Sequence, residues 1–129
     1  MCIPTLTQDT DQPFWVARDS FYKHFDQSDF HFRDSQRVSW SYLSDWFFSQ
    51  THGQLHFILP TVHFVSGKTQ FINGRHRTAV LLHHMNEVPM AFALGGFSDL
   101  SVFHSLDKRQ LNLSASIELP DLPVVERLP

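Results

Sequence analysis

The stretch that most limits how this chain can fold runs from Lys68 to Met85. A short apolar run, Gln70 to Ile72, leads into Asn73-Gly74, and a helix-type pattern begins at once. Asn-Gly is a strong turn signal, and Gly tolerates positive φ. The junction therefore reads as strand, tight turn, helix. Arg75, His76 and Arg77 fall in the first helical turn. The first backbone N–H groups of a helix lack intrahelical partners, and the helix dipole adds partial positive charge there. Basic side chains at that end oppose the dipole, at a cost of roughly 0.3–1 kcal/mol each. A bound anion reverses that penalty, so residues 73–78 read as an anion site suited to phosphate. A plain Asn-Gly turn before a solvated helix start is the competing reading.

Elements on either side extend the pattern. Leu55 to Val65 carries Phe57, Ile58, Val62, Phe64 and Val65, which favour strand. Pro60 interrupts the run, so part of it is expected to be an edge or a bulge. Ser66-Gly67-Lys68 is a turn, and Thr69 to Ile72 returns as the partner strand of a hairpin. In the helix, Ala79, Val80, Leu82 and His83 are expected toward the sheet. Asn86-Glu87 ends it, and Val88 to Leu94 is a further strand closed by Gly95-Gly96.

The rest of the chain gives weaker signals. Residues 1–13 read as an irregular arm. Phe14, Ala17, Phe21 and Phe25 recur at three- and four-residue steps, which predicts a short amphipathic helix. Residues 26–37 read as a long loop. Ser39 is a plausible N-cap for a helix whose apolar face holds Tyr42, Leu43, Trp46 and Phe47 and which ends near Gly53. Residues 98–106 fit helix or strand equally. Leu111, Leu113, Ala115, Ile117 and Leu119 alternate with polar residues and predict a strand. Residues 120–129 hold three prolines and read as an extended tail.

The 129 residues, 42% hydrophobic with 13 Phe, suffice for one well-filled core, so one domain over residues 1–129 is expected. Cys2 is the sole cysteine, which excludes an internal disulfide and a cysteine-rich zinc site. No apolar run reaches the roughly 18 residues of a membrane span, and no secretory signal is visible. A cytoplasmic protein without membrane attachment is the expectation. Net charge is −3, yet no Asp or Glu occurs from Trp46 to Asn86, where Lys68, Arg75 and Arg77 fall. That distribution favours a focused anion site over a broad basic face. His52, His56, His63, His83 and His84 match no standard zinc spacing, so no metal site is assigned to them. Trp40 and Phe48 lie off the main apolar face of their helix and offer base stacking or a partner surface.

The order helix, strand, turn, strand, Gly-x-x-Arg helix, strand resembles the ParB/sulfiredoxin superfamily. Gly74-Arg75-His76-Arg77 fills its helix-opening motif, and Thr78-Ala79 follows with small residues, as is usual there. The resemblance covers residues 37–94. It implies a single-domain α+β fold with a small mixed sheet. It also implies a phosphate or nucleotide site at Asn73, Gly74, Arg75, His76, Arg77 and Thr78, with Arg77 on the phosphate. His76 would be the proton carrier if the site is catalytic. Arg33 and Arg37 correspond to a nucleotide-contacting arginine of ParB-like domains; pairing with Asp29 or Asp34 is the other reading. ATP or CTP with Mg2+ is the implied ligand, and nucleic acid an implied substrate.

Departures from the superfamily narrow the expectation. Sulfiredoxins carry a catalytic Cys where this chain has Arg75. CTP-switching ParB proteins have Glu-Arg where Arg75-His76 stand, and a helix-turn-helix domain follows, for which this chain is too short. Free-serine kinases of the group carry Asp-Gly-His-His-Arg, close to Asn73-Gly74-Arg75-His76-Arg77, but use an upstream Glu; no Glu precedes Glu87, leaving Asp34 and Asp45 as substitutes. Plasmid fertility-inhibition proteins, with nucleotide hydrolysis and DNA cleavage, also resemble this fold, and a small stand-alone domain suits that type of role. Two functions stay open: a nucleotide hydrolase or nuclease, and a non-catalytic binding or inhibitory protein. Apolar β-edges near Pro60 or along Leu111–Leu119 offer a homodimer contact.

Overall fold

The computed structural model describes residues 2–25, 49–51, 53–65, 68–82, 84–95 and 100–119. In chain order the elements are β1 (Ile3–Thr5), β2 (Gln12–Ala17), α1 (Arg18–His24), β3 (Ser49–Thr51), β4 (Gln54–Ile58) and β5 (Thr61–Val65). Then follow β6 (Lys68–Asn73), α2 (Arg75–Leu82), β7 (Glu87–Phe92), α3 (Ser101–Ser105) and β8 (Lys108–Gln110). The strands form two sheets. One has three strands in the order β1-β4-β3, and the other has five in the order β6-β5-β7-β2-β8. Parallel and antiparallel pairs occur in both, so the chain is α+β with mixed sheets.

The hairpin, helix and strand around Gly74 form as their sequence predicts. β5 pairs antiparallel with β6 and parallel with β7, and α2 is the connection between β6 and β7. The register slips between Thr61 and Val62, which leaves Ile72 as the extra residue of a bulge and 53% exposed. Pro60 does more than interrupt a strand. It separates β4 from β5, which belong to different sheets. Pro60 has no N–H, but its carbonyl accepts from the Ala91 N–H at 2.8 Å, and the Leu59 N–H donates to the Thr5 carbonyl at 2.9 Å. The two-residue joint is thus tied to one strand of each sheet.

Elsewhere long-range pairing overrides local pattern. The expected irregular arm contains β1, parallel to β4, and Cys2 bridges to Ile117. Phe14 is not helical: it lies in β2, between β7 and β8, and α1 begins only at Arg18. Phe14 and Ala17 matched a helical step by coincidence, since β2 pairs over its full six residues with β7. The strand expected over 111–119 is mostly absent. Asn112 Oδ1 accepts from the Ser114 N–H at 3.0 Å and from its hydroxyl at 2.6 Å, folding the chain into a turn. The helix expected to end at Gly53 is replaced at its end by β3, and Gly53 (φ +76°) turns the β3–β4 hairpin. Within the stretch 98–106, whose sequence fits helix or strand, Ser101–Ser105 form α3. The proposed helix face at Tyr42, Leu43, Trp46 and Phe47, with Trp40 and Phe48, lies outside the described residues.

Val16, Val62, Val88, Met90 and Phe92 of the five-stranded sheet are fully buried, and β7 is buried on both faces, with Ala91 opposite to them. Phe14, Phe92 and Phe103 meet edge to face with ring centres 5.3–5.9 Å apart, so α3 is seated by its one buried aromatic. α1 adds Phe21, and Phe25, the extended residue that caps it, packs on Phe71 of β6 at 5.4 Å. Each such side chain contributes about 1.5–3 kcal/mol on burial. Ala79, Leu81 and Leu82 anchor α2. No helix among the described residues is long and apolar enough to cross a membrane.

Candidate functional site

Gly74 opens α2 with φ +83°, in the left-handed region that favours glycine. Its carbonyl accepts from the Thr78 N–H at 3.0 Å and from the Thr78 hydroxyl at 3.0 Å. Gly74 is therefore the N-cap residue, and the helix begins at Arg75. Space is a second constraint. A Cβ on Gly74 would lie 2.7 Å from Arg77 Nη2 and 2.7 Å from both Cα and Cβ of Pro60. The close approach that demands glycine comes from the β4–β5 joint and from Arg77.

Arg77 is 8% exposed and turned inward. Its Nη1 donates to the Ile58 carbonyl at 2.6 Å, and its Nη2 donates to Asn73 Oδ1 at 3.3 Å. The guanidinium lies 5.7 Å from the ring centre of Phe57. Asn73 Oδ1 also accepts from the Thr61 N–H at 3.2 Å. One amide oxygen thus joins the end of β6, the start of β5 and the Arg77 side chain. Among the described residues no carboxylate pairs with Arg77. Burial alone pushes its pKa down to about 10, so it remains charged at neutral pH.

The six motif residues therefore divide. Asn73, Gly74, Arg77 and Thr78 form an internally bonded cluster, and Thr78, expected on the phosphate, is fully buried with its hydroxyl on Gly74. Arg77, expected to grip phosphate with both arms of its fork, has each terminal nitrogen on a protein acceptor. Arg75, half-buried at the first helical position, and His76, at the second, stand at the opening of α2. No acidic residue lies in that first turn. Arg33, Arg37, Asp34 and Asp45 lie outside the described residues.

Phe57, Ile58, Pro60 and Thr61 were not among the expected site residues, although they form the wall behind Gly74. Pro60 was legible as a break, but nothing in a local pattern connects Ile58 to Arg77, 19 residues apart. Of the histidines, His56 Nδ1 lies 3.2 Å from Thr5 Oγ1, an ordinary contact between β4 and β1. No group of three or more His, Cys, Asp or Glu among the described residues could hold a metal ion. No protein-family model, no curated protein and no solved structure matches this chain.

Proposed function

We propose that this protein binds a phosphate group, such as that of a nucleotide, at the opening of α2, and that its fold is related to the ParB/sulfiredoxin group. The observation that carries the reading is the Arg77 guanidinium. It is a buried cation with no carboxylate partner among the described residues, packed against Gly74 at the positive end of a helix whose first turn has no acid. A buried charge without a counter-ion costs several kcal/mol, and an anion at the helix opening offsets that cost. The N–H groups of Arg75 and His76, at the first two helical positions, are the contacts the helix opening supplies, with the Arg75 charge beside them. The hairpin–Gly-x-x-Arg–helix–strand order supports the kinship.

In this reading the protein is first a binding protein. The residues around the turn, Ile58, Pro60, Thr61, Asn73 and Arg77, include no general base. Nor do they offer a carboxylate for Mg2+, so an ion arriving with ATP or CTP is held by the phosphates and water. His76 is the residue on which hydrolysis or nucleic-acid cleavage would depend.

Thermal melting with ATP, CTP, inorganic phosphate and single-stranded DNA, each with and without magnesium, tests the proposal. A ligand at a hundredfold excess over its Kd adds about 2.7 kcal/mol of stability. Stabilisation by at least one phosphate-bearing ligand is expected. No shift with any of them at millimolar concentration overturns the reading. Turnover of nucleotide or DNA that disappears in His76→Ala would make the protein an enzyme.

A further inference from the structure

We infer that Arg77 is a positioning residue, which braces the turn opening α2 from behind and does not touch the bound phosphate. The inference rests on the phosphate reading, because it assigns the phosphate contacts to the helix-opening N–H groups and sets Arg77 behind them.

The geometry leaves Arg77 little freedom. Both terminal nitrogens are engaged, on Ile58 and on Asn73. The guanidinium fills the space that a Gly74 side chain would take, and it lies over Phe57. Its bonds bridge the last residue of β4 and the last residue of β6, and Asn73 passes the connection on to Thr61, the first residue of β5. The segment so spanned, Leu59-Pro60, is where the chain leaves one sheet for the other. Turning Arg77 out to a ligand would leave the Ile58 carbonyl without that donor and free the Asn73 side chain that holds Thr61. A phosphate contact by Arg77 would therefore loosen the joint that shapes the site. Held in place, the same cation still attracts an anion through the turn without a direct bond.

The test is 15N NMR of the full chain titrated with inorganic phosphate, with Arg75→Ala and Arg77→Lys as variants. In the unmodified protein, phosphate should shift the backbone amides of Arg75 and His76 and leave the Arg77 Nε–Hε signal in place. Arg75→Ala should raise the phosphate Kd about tenfold, the loss of one cation beside the site. Lysine keeps the charge but not the fork, so it cannot reach two acceptors. Arg77→Lys should melt earlier and exchange its Leu59 and Thr61 amides faster, yet bind phosphate within about threefold of the unmodified protein. A large phosphate-induced shift at Arg77 Nε–Hε overturns the inference, and this measurement decides the matter if Arg77→Lys does not fold. Unchanged melting and exchange in Arg77→Lys, with phosphate binding lost, overturns it as well. If phosphate shifts neither Arg75 nor His76, the phosphate reading falls, and faster Leu59 and Thr61 exchange in Arg77→Lys still separates a brace from an idle side chain.

Discussion

Arg77 Nη1 donates to the Ile58 carbonyl at 2.6 Å, a charge-assisted bond between the first turn of α2 and the last residue of β4. Bonds of this kind contribute about 1.5–3 kcal/mol each, and a buried acceptor left without its donor costs about 1–3 kcal/mol. Arg77→Met retains the apolar stem but removes both bonds. The expected loss is about 2–4 kcal/mol, read as a lower urea midpoint with an unchanged slope. A midpoint equal to that of the unmodified protein would show that the brace carries no stability.

Gly74 is the position where backbone and packing demand the same residue. Gly74→Ala forces a Cβ into φ +83° and into Pro60 at 2.7 Å. The strained backbone alone costs about 1–3 kcal/mol, and the contact with Pro60 adds to it because backbone cannot rotate away. Gly53, at φ +76° with open space around it, is the control. Gly53→Ala carries the φ cost only, so Gly74→Ala should be the more destabilising of the two in chemical denaturation.

Asn73→Asp separates stability from ligand binding. The carboxylate keeps the acceptor for Thr61 N–H and places a negative charge 3.3 Å from Arg77 Nη2. It supplies a counter-ion that the buried guanidinium lacks among the described residues, so the melting temperature should hold or rise. The same charge repels an incoming anion, and phosphate affinity should fall about tenfold. If Asn73→Asp bound phosphate as well as the unmodified protein, the electrostatic argument for the site would be wrong.

Cys2 gives a pH-dependent expectation away from the site. It is 4% exposed, and its Sγ lies 3.8 Å from the Ile117 carbonyl, to which the thiol donates weakly. Burial pushes its pKa up to about 11 from an ordinary value of 9.0. The neutral thiol is the favoured folded form. Its contribution is therefore full below pH 9 and is lost as the pH rises from 9 through 11. A thiol-labelling reagent at pH 8 should react with the native protein about a hundredfold more slowly than with the urea-unfolded chain, from thiolate content alone. Equal rates would place Cys2 at an accessible surface.

The legible parts of the molecule are those whose signals lie next to each other in the chain. The β5–β6 hairpin, the Asn73-Gly74 turn and the start of α2 each rest on residues within a few positions. Positive φ at Gly74 follows from the turn chemistry of that dipeptide. The N-terminal strands were not legible, because Ile3 pairs with His56 and Gln12 with Phe92. Phe14 and Ala17 fit a helical step locally, and only their pairing in the sheet places them in β2.

The sequence by itself determined that a glycine turn opens a helix bearing Arg75, His76 and Arg77, with no acid nearby in the chain. It also determined the break at Pro60. Tertiary structure decided which way Arg77 points. An arginine in a first helical turn reaches outward or inward with equal ease. The choice belongs to the acceptors within reach, here the Ile58 carbonyl and Asn73 Oδ1, and to the Phe57 ring beside them. Those groups come together only because Pro60 parts β4 from β5 and the two sheets meet behind Gly74.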